Sequence, residues 1–280
     1  IPKTVDNDLV LTDCCPGFGS AAKYIATSTM EASLDVQSMS ETSTKVFILE
    51  VMGRHAGWMA ASSVLARTSN EDAPHIILLP EVTFNQKDFL ALVKQVVAKQ
   101  GYCVVVVSEG VKNSKGKFLA ESDRRDAFGH SQLGGIAPFI SELINNKLKI
   151  KNHWAVADYL QRSARHIASK VDLEQAEAVG SFAIKYALAG MNGVMPIIVR
   201  GKGPKYKWSI EAAPLSKIAN LEKKLPRSFI SKNGMNVTQK AIDYLMPLIQ
   251  GESYPPYKNG IPLTKEFKLI KAVKKLPKWK

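Results

Sequence analysis

Cysteine is scarce here: Cys14, Cys15 and Cys103 are the only three in 280 residues. An odd number without metal-site spacing argues against a disulfide-stapled secreted scaffold and against a zinc module. Cys103 heads an apolar run and reads as a buried thiol. The pattern predicts a reducing, cytosolic setting. Long apolar runs are also missing. None approaches the roughly 20 residues that span a bilayer, and no secretory h-region is present, so no membrane partner is expected. Repeats, heptads and low-complexity tracts are absent as well. Acidic residues are the minority, 25 against 38 basic, for a formal net charge of +13. Much of that excess lies in the tail, at Lys265, Lys268, Lys271, Lys274, Lys275, Lys278 and Lys280. These lysines match no nucleic-acid-binding module and read as a solvated basic tail, with no nucleic-acid partner.

What is present is an alternation of two hydrophobic periods. Four β-branched runs, at 46–51, 75–79, 103–107 and 194–199, read as buried parallel strands. Helical spacing falls between them, at 56–67, 88–99, 136–148 and 172–188, the last opening on an N-cap candidate, Asp172, and stopping at Gly190. Strands alternating with helices predict an α/β fold with a largely parallel sheet. Residues 110–126 are polar and glycine-dotted, a loop or short hairpin. After Arg200 two shorter helices are expected, near 209–224 and 238–250, and then the tail.

Four short segments carry chemistry. The first is Lys3-Thr4-Val5-Asp6-Asn7-Asp8. If extended, it points Thr4, Asp6 and Asp8 to one side. One carboxylate can then take a proton from an alcohol while the other adjusts its pKa. Lys3 can neutralise charge on a transferred phosphoryl group. The same residues also suit an Asp/Asn-rich turn. The second segment, Glu50-Val51-Met52-Gly53-Arg54-His55-Ala56-Gly57, lies where a buried strand meets a helix, the edge at which such sheets bind ligands. Its glycines allow close backbone approach, and Arg54 can fork onto a phosphate. A plain strand-to-helix turn is the alternative. The third, Ser108-Glu109-Gly110, closes the most apolar strand with a carboxylate suited either to sugar hydroxyls or to capping a turn. The fourth is Tyr159-Leu160-Gln161-Arg162. On a helix its ends share a face and can grip one anion, or simply pack a tyrosine beside a solvated arginine.

In order and spacing, along roughly residues 1–200, these segments resemble the phosphofructokinases. Lys3 and the stretch Asn152-His-Trp-Ala-Val-Ala-Asp-Tyr-Leu-Gln-Arg162 are similar to the pyrophosphate-dependent branch. The resemblance implies parallel-sheet Rossmann-type layers with helices on both faces, in two domains. Residues 1–16 would end a phosphoryl-donor domain, 17–162 would bind fructose 6-phosphate, 163–200 would return to the donor domain, and 201–280 would form a C-terminal helical extension and basic tail. By position, Asp6 resembles the family's general base on the 1-hydroxyl, Asp8 its accessory carboxylate and Lys3 its transition-state cation. Thr4 and Val5 flank the base in the sugar-contacting segment. Met52, Gly53 and Arg54 match the substrate-binding turn and Glu109 a sugar-binding carboxylate. Tyr159, Leu160, Gln161 and Arg162 match the 6-phosphate grip. Lys45 stands where many relatives place an arginine near the transferred phosphate, with the charge kept and the fork lost.

The implied reaction is D-fructose 6-phosphate plus pyrophosphate giving fructose 1,6-bisphosphate plus phosphate, close to equilibrium, with Mg2+ as cofactor and a homo-oligomer as the working form. The family's glycine-rich phosphate loop and a magnesium-binding aspartate are expected upstream of Ile1, so no metal ligand is assigned within this chain, and the piece by itself is expected to transfer no phosphoryl group. An ATP-dependent phosphofructokinase and a non-catalytic regulatory subunit of the same fold are the rival readings.

Overall fold

A computed structural model describes residues 1–119, 121–125, 131–133 and 135–265, and positions 268, 270, 273 and 275; for 121–125 and 131–133 the description is of the backbone. In chain order the elements are α1 (Phe18–Met39), β1 (Val46–Val51), α2 (Trp58–Ser62), β2 (Ile76–Leu78), α3 (Gln86–Gln100), β3 (Cys103–Ser108), β4 (Glu121–Arg125), β5 (Ser131–Leu133), α4 (Ile136–Leu148), β6 (Asn152–Val156), α5 (Leu160–Ser163), α6 (Lys170–Leu188), β7 (Val194–Arg200), β8 (Trp208–Pro214), α7 (Gln239–Leu245), β9 (Tyr257–Lys258) and β10 (Ile261–Pro262).

Four strands form a parallel sheet in the order β2-β3-β1-β6. Because side chains alternate along a strand, β1 and β3 each supply both faces. Leu49, Val51, Val106 and Ile77 pack with Phe18, Ala22 and Ile25 of α1 and with Met59 of α2. Val46, Ile48, Val105 and Val107 pack on the other side with Phe89 and Val93 of α3 and Ile140 and Ile144 of α4. Two-sided burial explains why β1 and β3 read as continuous apolar runs. Truncating a fully buried residue such as Ile140 costs about 2–5 kcal/mol. Local signals agree with the packing. Asn85 caps α3 by accepting from the Lys87 and Asp88 amides, and Gly101, with φ 82°, ends it.

Several expectations need correction. The run at 194–199 is a strand, but it pairs antiparallel with β8 in a separate two-stranded sheet. The helix expected at 209–224 is instead strand β8 followed by a short 3₁₀ turn at Leu215–Lys217. Exposure alternates along 208–212, a period of two that the Ala212-Ala213 pair disguised. The long helix α1 was not anticipated, because small residues, Ala21, Ala22, Ala26, Thr29 and Ser33, make up most of its buried face and leave Phe18, Ile25 and Val36 widely spaced. Edge strand β6, with a mostly exposed sequence, was likewise missed. Ser169, not Asp172, caps α6. The Asp172 carboxylate instead accepts from the Gly17 and Ser20 amides and the Ser20 hydroxyl, tying α6 to the start of α1.

The 110–126 segment forms a turn bridged at Lys112–Phe118 and then runs into the β4–β5 pair; Asp126 lies outside the described residues, as do Lys271, Lys274, Lys278 and Lys280. All three cysteines are free and buried. Among the described residues no helix is long and apolar enough to cross a membrane.

Candidate active site

The site is assembled where β1, β3 and β6 end. After Val51 the chain turns through Met52, Gly53 and Arg54. Gly53 has φ 128°, and a Cβ there would stand 2.7 Å from the Ala56 carbonyl oxygen. Gly110, just beyond β3, lies closer still: a Cβ would sit 1.9 Å from the Arg54 carbonyl oxygen. No side chain fits at either position. The two strand ends are also hydrogen-bonded. The Ser108 hydroxyl donates to the Gly53 carbonyl, the Glu109 amide donates to Val51 O at 3.0 Å, and the Gly53 amide donates to Glu109 Oε1 at 3.3 Å.

A cleft of about 410 Å3 opens at this edge, lined by Glu50, Met52, Glu109, Gly135, Val156 and Asp158. Burial pushes the Glu109 carboxyl up to about 7, against the pull of the Gly53 amide and Arg54. Burial also raises Glu50, whose Oε2 accepts the Ala137 amide at 2.8 Å at the start of α4. A neighbouring cleft of about 310 Å3 includes Gly17, Ser20, Arg162, Arg165 and Asp172.

The first segment is a turn, not an extended strand. Val5 and Asp6 occupy its bend, the Asp6 amide donates to Thr4 Oγ1 at 3.1 Å, and Asn7 adopts φ 56° with its side chain fully buried. The expectation of one shared face through strict alternation is therefore corrected, since Asp and Asn side chains bond back to local backbone and favour turns. The turn nevertheless carries Asp6 into the electrostatic reach of Asp8, Arg54, Arg162 and His55. Burial raises the Asp6 carboxyl first and Asp8 second, while Arg54, Arg162 and His55 pull it down.

The fourth segment divides in function. Arg162 lies over the Tyr159 ring at 4.4 Å, so the two share a face; Tyr159 and Leu160 are exposed. Gln161 is not a contact group. It is buried, its Oε1 accepts the Met52 amide at 3.3 Å and its Nε2 donates to the Asp158 carbonyl at 2.9 Å. Lys45 is not brought to the cleft. It precedes β1 at the opposite end of the sheet and donates to the Ser40 carbonyl at 2.5 Å. A six-residue strand puts about 20 Å between the two edges. Lys3 is exposed, and Thr4 and Val5 are half-buried.

Sequence reasoning assigned no role to Glu50, His55, Asn7 or Asp158. All four stood inside quoted segments, so their position was a usable signal; nothing in the sequence marked the φ of 37° at Asp158. Among the described residues no cluster of three His, Cys, Asp or Glu could hold a metal ion. Asp6 and Asp8 are two carboxylates without a third ligand, so these residues do not make a magnesium cage of their own.

An acid pair beside two guanidinium groups, at the carboxyl edge of a two-faced parallel sheet, defines an α/β protein built to handle an anionic substrate. Comparison with known proteins gives the family. The phosphofructokinase family model matches residues 1–187, and the chain belongs to that family. It is 55% identical over 280 residues to a pyrophosphate–fructose 6-phosphate 1-phosphotransferase of Halomonas elongata, covering 100% of this chain and 67% of that protein. The enzyme of the same name from Methylococcus capsulatus is 57% identical over 94% of this chain and 62% of its own length. Among solved structures, the pyrophosphate-dependent phosphofructokinase of Marinobacter aquaeolei superposes with a TM-score of 0.84 at 56% identity, covering 93% of this chain and 62% of that one. The chain thus spans about two thirds of the length of the relatives it matches.

Proposed function

We propose that the whole enzyme to which this chain belongs transfers a phosphoryl group reversibly from pyrophosphate to the 1-hydroxyl of D-fructose 6-phosphate, giving fructose 1,6-bisphosphate and phosphate. The placement of Asp6 within reach of both Arg54 and Arg162 carries this reading. A single sugar phosphate can then present its hydroxyl to the carboxylate and its phosphate to the guanidinium groups. In this scheme Asp6 accepts the proton as the O1–P bond forms and the bridging P–O bond of pyrophosphate breaks. Burial and the Asp8 charge raise its pKa, the direction in which a carboxylate base is tuned. Lys3 offsets charge on the transferred group, and Asp8 holds the Asp6 pKa up. Thr4, Val5, Met52 and Gly53 shape the sugar site, Glu109 accepts from sugar hydroxyls, and Tyr159, Leu160 and Arg162 border the 6-phosphate. Magnesium belongs to the family's chemistry, but these steps rest on side chains alone.

Residues 1–16 and 163–200 are assigned to the donor side and 17–162 to the sugar side. Lys45, on the far edge of the sheet, can serve only a cleft of a second copy, which makes a homo-oligomer part of the proposal. Mixing an inactive Lys45→Met protein with an inactive Asp6→Ser protein then restores activity through hybrid sites; no recovery removes Lys45 from the chemistry.

The deciding experiment supplies full-length protein with fructose 6-phosphate and either pyrophosphate or ATP. Turnover with pyrophosphate alone is expected. Asp6→Ser should lower kcat by about 10²–10⁴-fold with little change in the sugar-phosphate KM. Preference for ATP overturns the donor assignment, and near-normal turnover of Asp6→Ser overturns the base.

A further inference from the structure

The turn that carries Asp6 and Asp8 is fastened at the residue between them. Asn7 is fully buried in a left-handed conformation. Its Oδ1 accepts the Cys15 amide at 3.0 Å and the Lys223 ammonium at 3.3 Å, and its Nδ2 donates to the Tyr244 hydroxyl at 3.2 Å. Two of those three partners come from beyond residue 187, outside the part of the chain that the family model matches.

Lys223 is the more heavily used. Its ammonium also donates to the carbonyls of Thr12 at 3.0 Å and Asp13 at 2.9 Å, and lies 5.2 Å above the Trp58 ring. Its amide donates to the Asp8 carbonyl at 2.6 Å, and its carbonyl accepts the Trp58 indole N–H at 2.8 Å. A lysine half-buried between exposed Glu222 and Lys224 has given up solvent for a set of three oxygen acceptors. Each acceptor belongs to the stretch 7–13 that follows the proposed base. Tyr244 closes the other side, since its hydroxyl donates to the Asp13 carbonyl while accepting from Asn7.

We infer that Lys223, with Tyr244 opposite it, is a positioning residue for the Asp6–Asp8 turn, so that the segment following the family-matched part of the chain sets the geometry of the base. The inference rests on the functional reading above. Neither side chain touches the cleft, so the consequence is a loss of alignment rather than of binding. Misplacement of a reacting group by about 1 Å costs on the order of 10²-fold in rate.

The test uses the full-length protein. Lys223→Met is expected to lower kcat about 10²-fold while the fructose 6-phosphate KM stays within about threefold, because Arg54 and Arg162 are untouched. Tyr244→Phe keeps the ring packed and should lower kcat about tenfold, and the double variant should fall well short of the product of the two, since both act on Asn7. Leu225→Ala serves as the purely structural comparison. It empties a buried position in the same segment and should lower Tm by several degrees with kcat retained. Hydrogen exchange at the backbone amides of residues 6–8 should rise in Lys223→Met and stay unchanged in Leu225→Ala.

Unchanged kcat in both Lys223→Met and Tyr244→Phe, or an equal loss in Leu225→Ala, overturns the inference. If Lys223→Met does not fold, Tyr244→Phe decides alone. A wild-type protein without pyrophosphate-dependent turnover defeats the functional reading instead, and the exchange measurement then still decides whether Lys223 holds the turn.

Discussion

The Glu109 carboxylate accepts the Gly53 amide proton at 3.3 Å, joining the ends of two neighbouring parallel strands at the mouth of the cleft. That bond favours the ionised acid, yet burial outweighs it and raises the carboxyl to about 7. In the unfolded chain the group ionises near 4.5. The native state therefore holds more protons between these values, and Glu109's contribution to stability falls as pH rises from about 4.5 through about 7, then levels off. Glu109→Gln has no such slope. Thermal unfolding of the two proteins from pH 5 to pH 8 should show wild type losing ground to the variant by up to about 3 kcal/mol. Parallel curves would mean that Glu109 is already ionised throughout.

Gly110 makes a sharper prediction about Arg54. A methyl group there would overlap the Arg54 carbonyl oxygen at 1.9 Å and the Gly53 carbonyl oxygen at 2.7 Å. Both obstacles are backbone, so relief requires the Met52–Arg54 turn itself to move. Gly110→Ala should raise the fructose 6-phosphate KM at least tenfold, equivalent to about 1.4 kcal/mol of binding, or prevent folding altogether. Gly116→Ala is the contrast, because nothing stands within 4 Å of its added carbon. Its KM should stay at the wild-type value, and any cost should come from its φ of 74° and appear in Tm.

How much of this was legible beforehand follows from where each signal is stored. Strands β1 and β3 are buried on both faces, so their chemistry is written in consecutive Val, Ile and Leu residues, and their ends pointed directly to Gly53, Arg54 and Glu109. The neighbourhood of Asp6 with Arg54 and Arg162 followed from the family resemblance in motif order. The local geometry of its segment was not, because an Asp-Asn-Asp run bonds to its own backbone and bends. Helix α1 stayed hidden because most of its packing surface is Ala, Thr and Ser, which give little hydrophobic contrast around the widely spaced Phe18, Ile25 and Val36. Lys223 and Tyr244 could not be found by pattern at all. Their partners in the 7–13 stretch lie 210 and more positions away in sequence, and such pairings exist only once the chain is folded.

Gln161 illustrates the same limit in a residue that was singled out. Its amide is enclosed and used in both directions, accepting from Met52 and donating to the Asp158 carbonyl. Gln161→Leu keeps most of the volume and removes both bonds, at roughly 0.5–1.5 kcal/mol each. The expected result is a lower Tm together with a raised sugar-phosphate KM, since Met52 and Arg162 flank the damage. Gln161→Glu retains the acceptor for Met52 but not the donor for Asp158, and should recover part of the KM and little of the Tm. Wild-type KM in Gln161→Leu would show that Met52 needs no such support.

The strongest check on Asp6 as the base uses its neighbour. Burial and the Asp8 charge raise the Asp6 carboxyl, while Arg54, Arg162 and His55 lower it. Asp8→Asn removes a raising charge and leaves every lowering one, so the Asp6 pKa must fall. The acid limb of kcat/KM reports an essential base in the free enzyme. In Asp8→Asn that limb should move to lower pH, because a nearby like charge that disfavours ionisation is gone, whatever happens to the plateau rate. Removing Arg162's charge with Arg162→Met should move it the opposite way. Glu109, raised to about 7, could imitate such a limb. Burial is the main cause of its raised carboxyl, with Arg54 pulling down and Asp6 and Glu50 pushing up, so Glu109→Gln separates the two acids. A limb that shifts in Asp8→Asn and persists in Glu109→Gln belongs to Asp6, whereas one that disappears in Glu109→Gln makes Glu109 the essential carboxylate and displaces Asp6 from the chemistry.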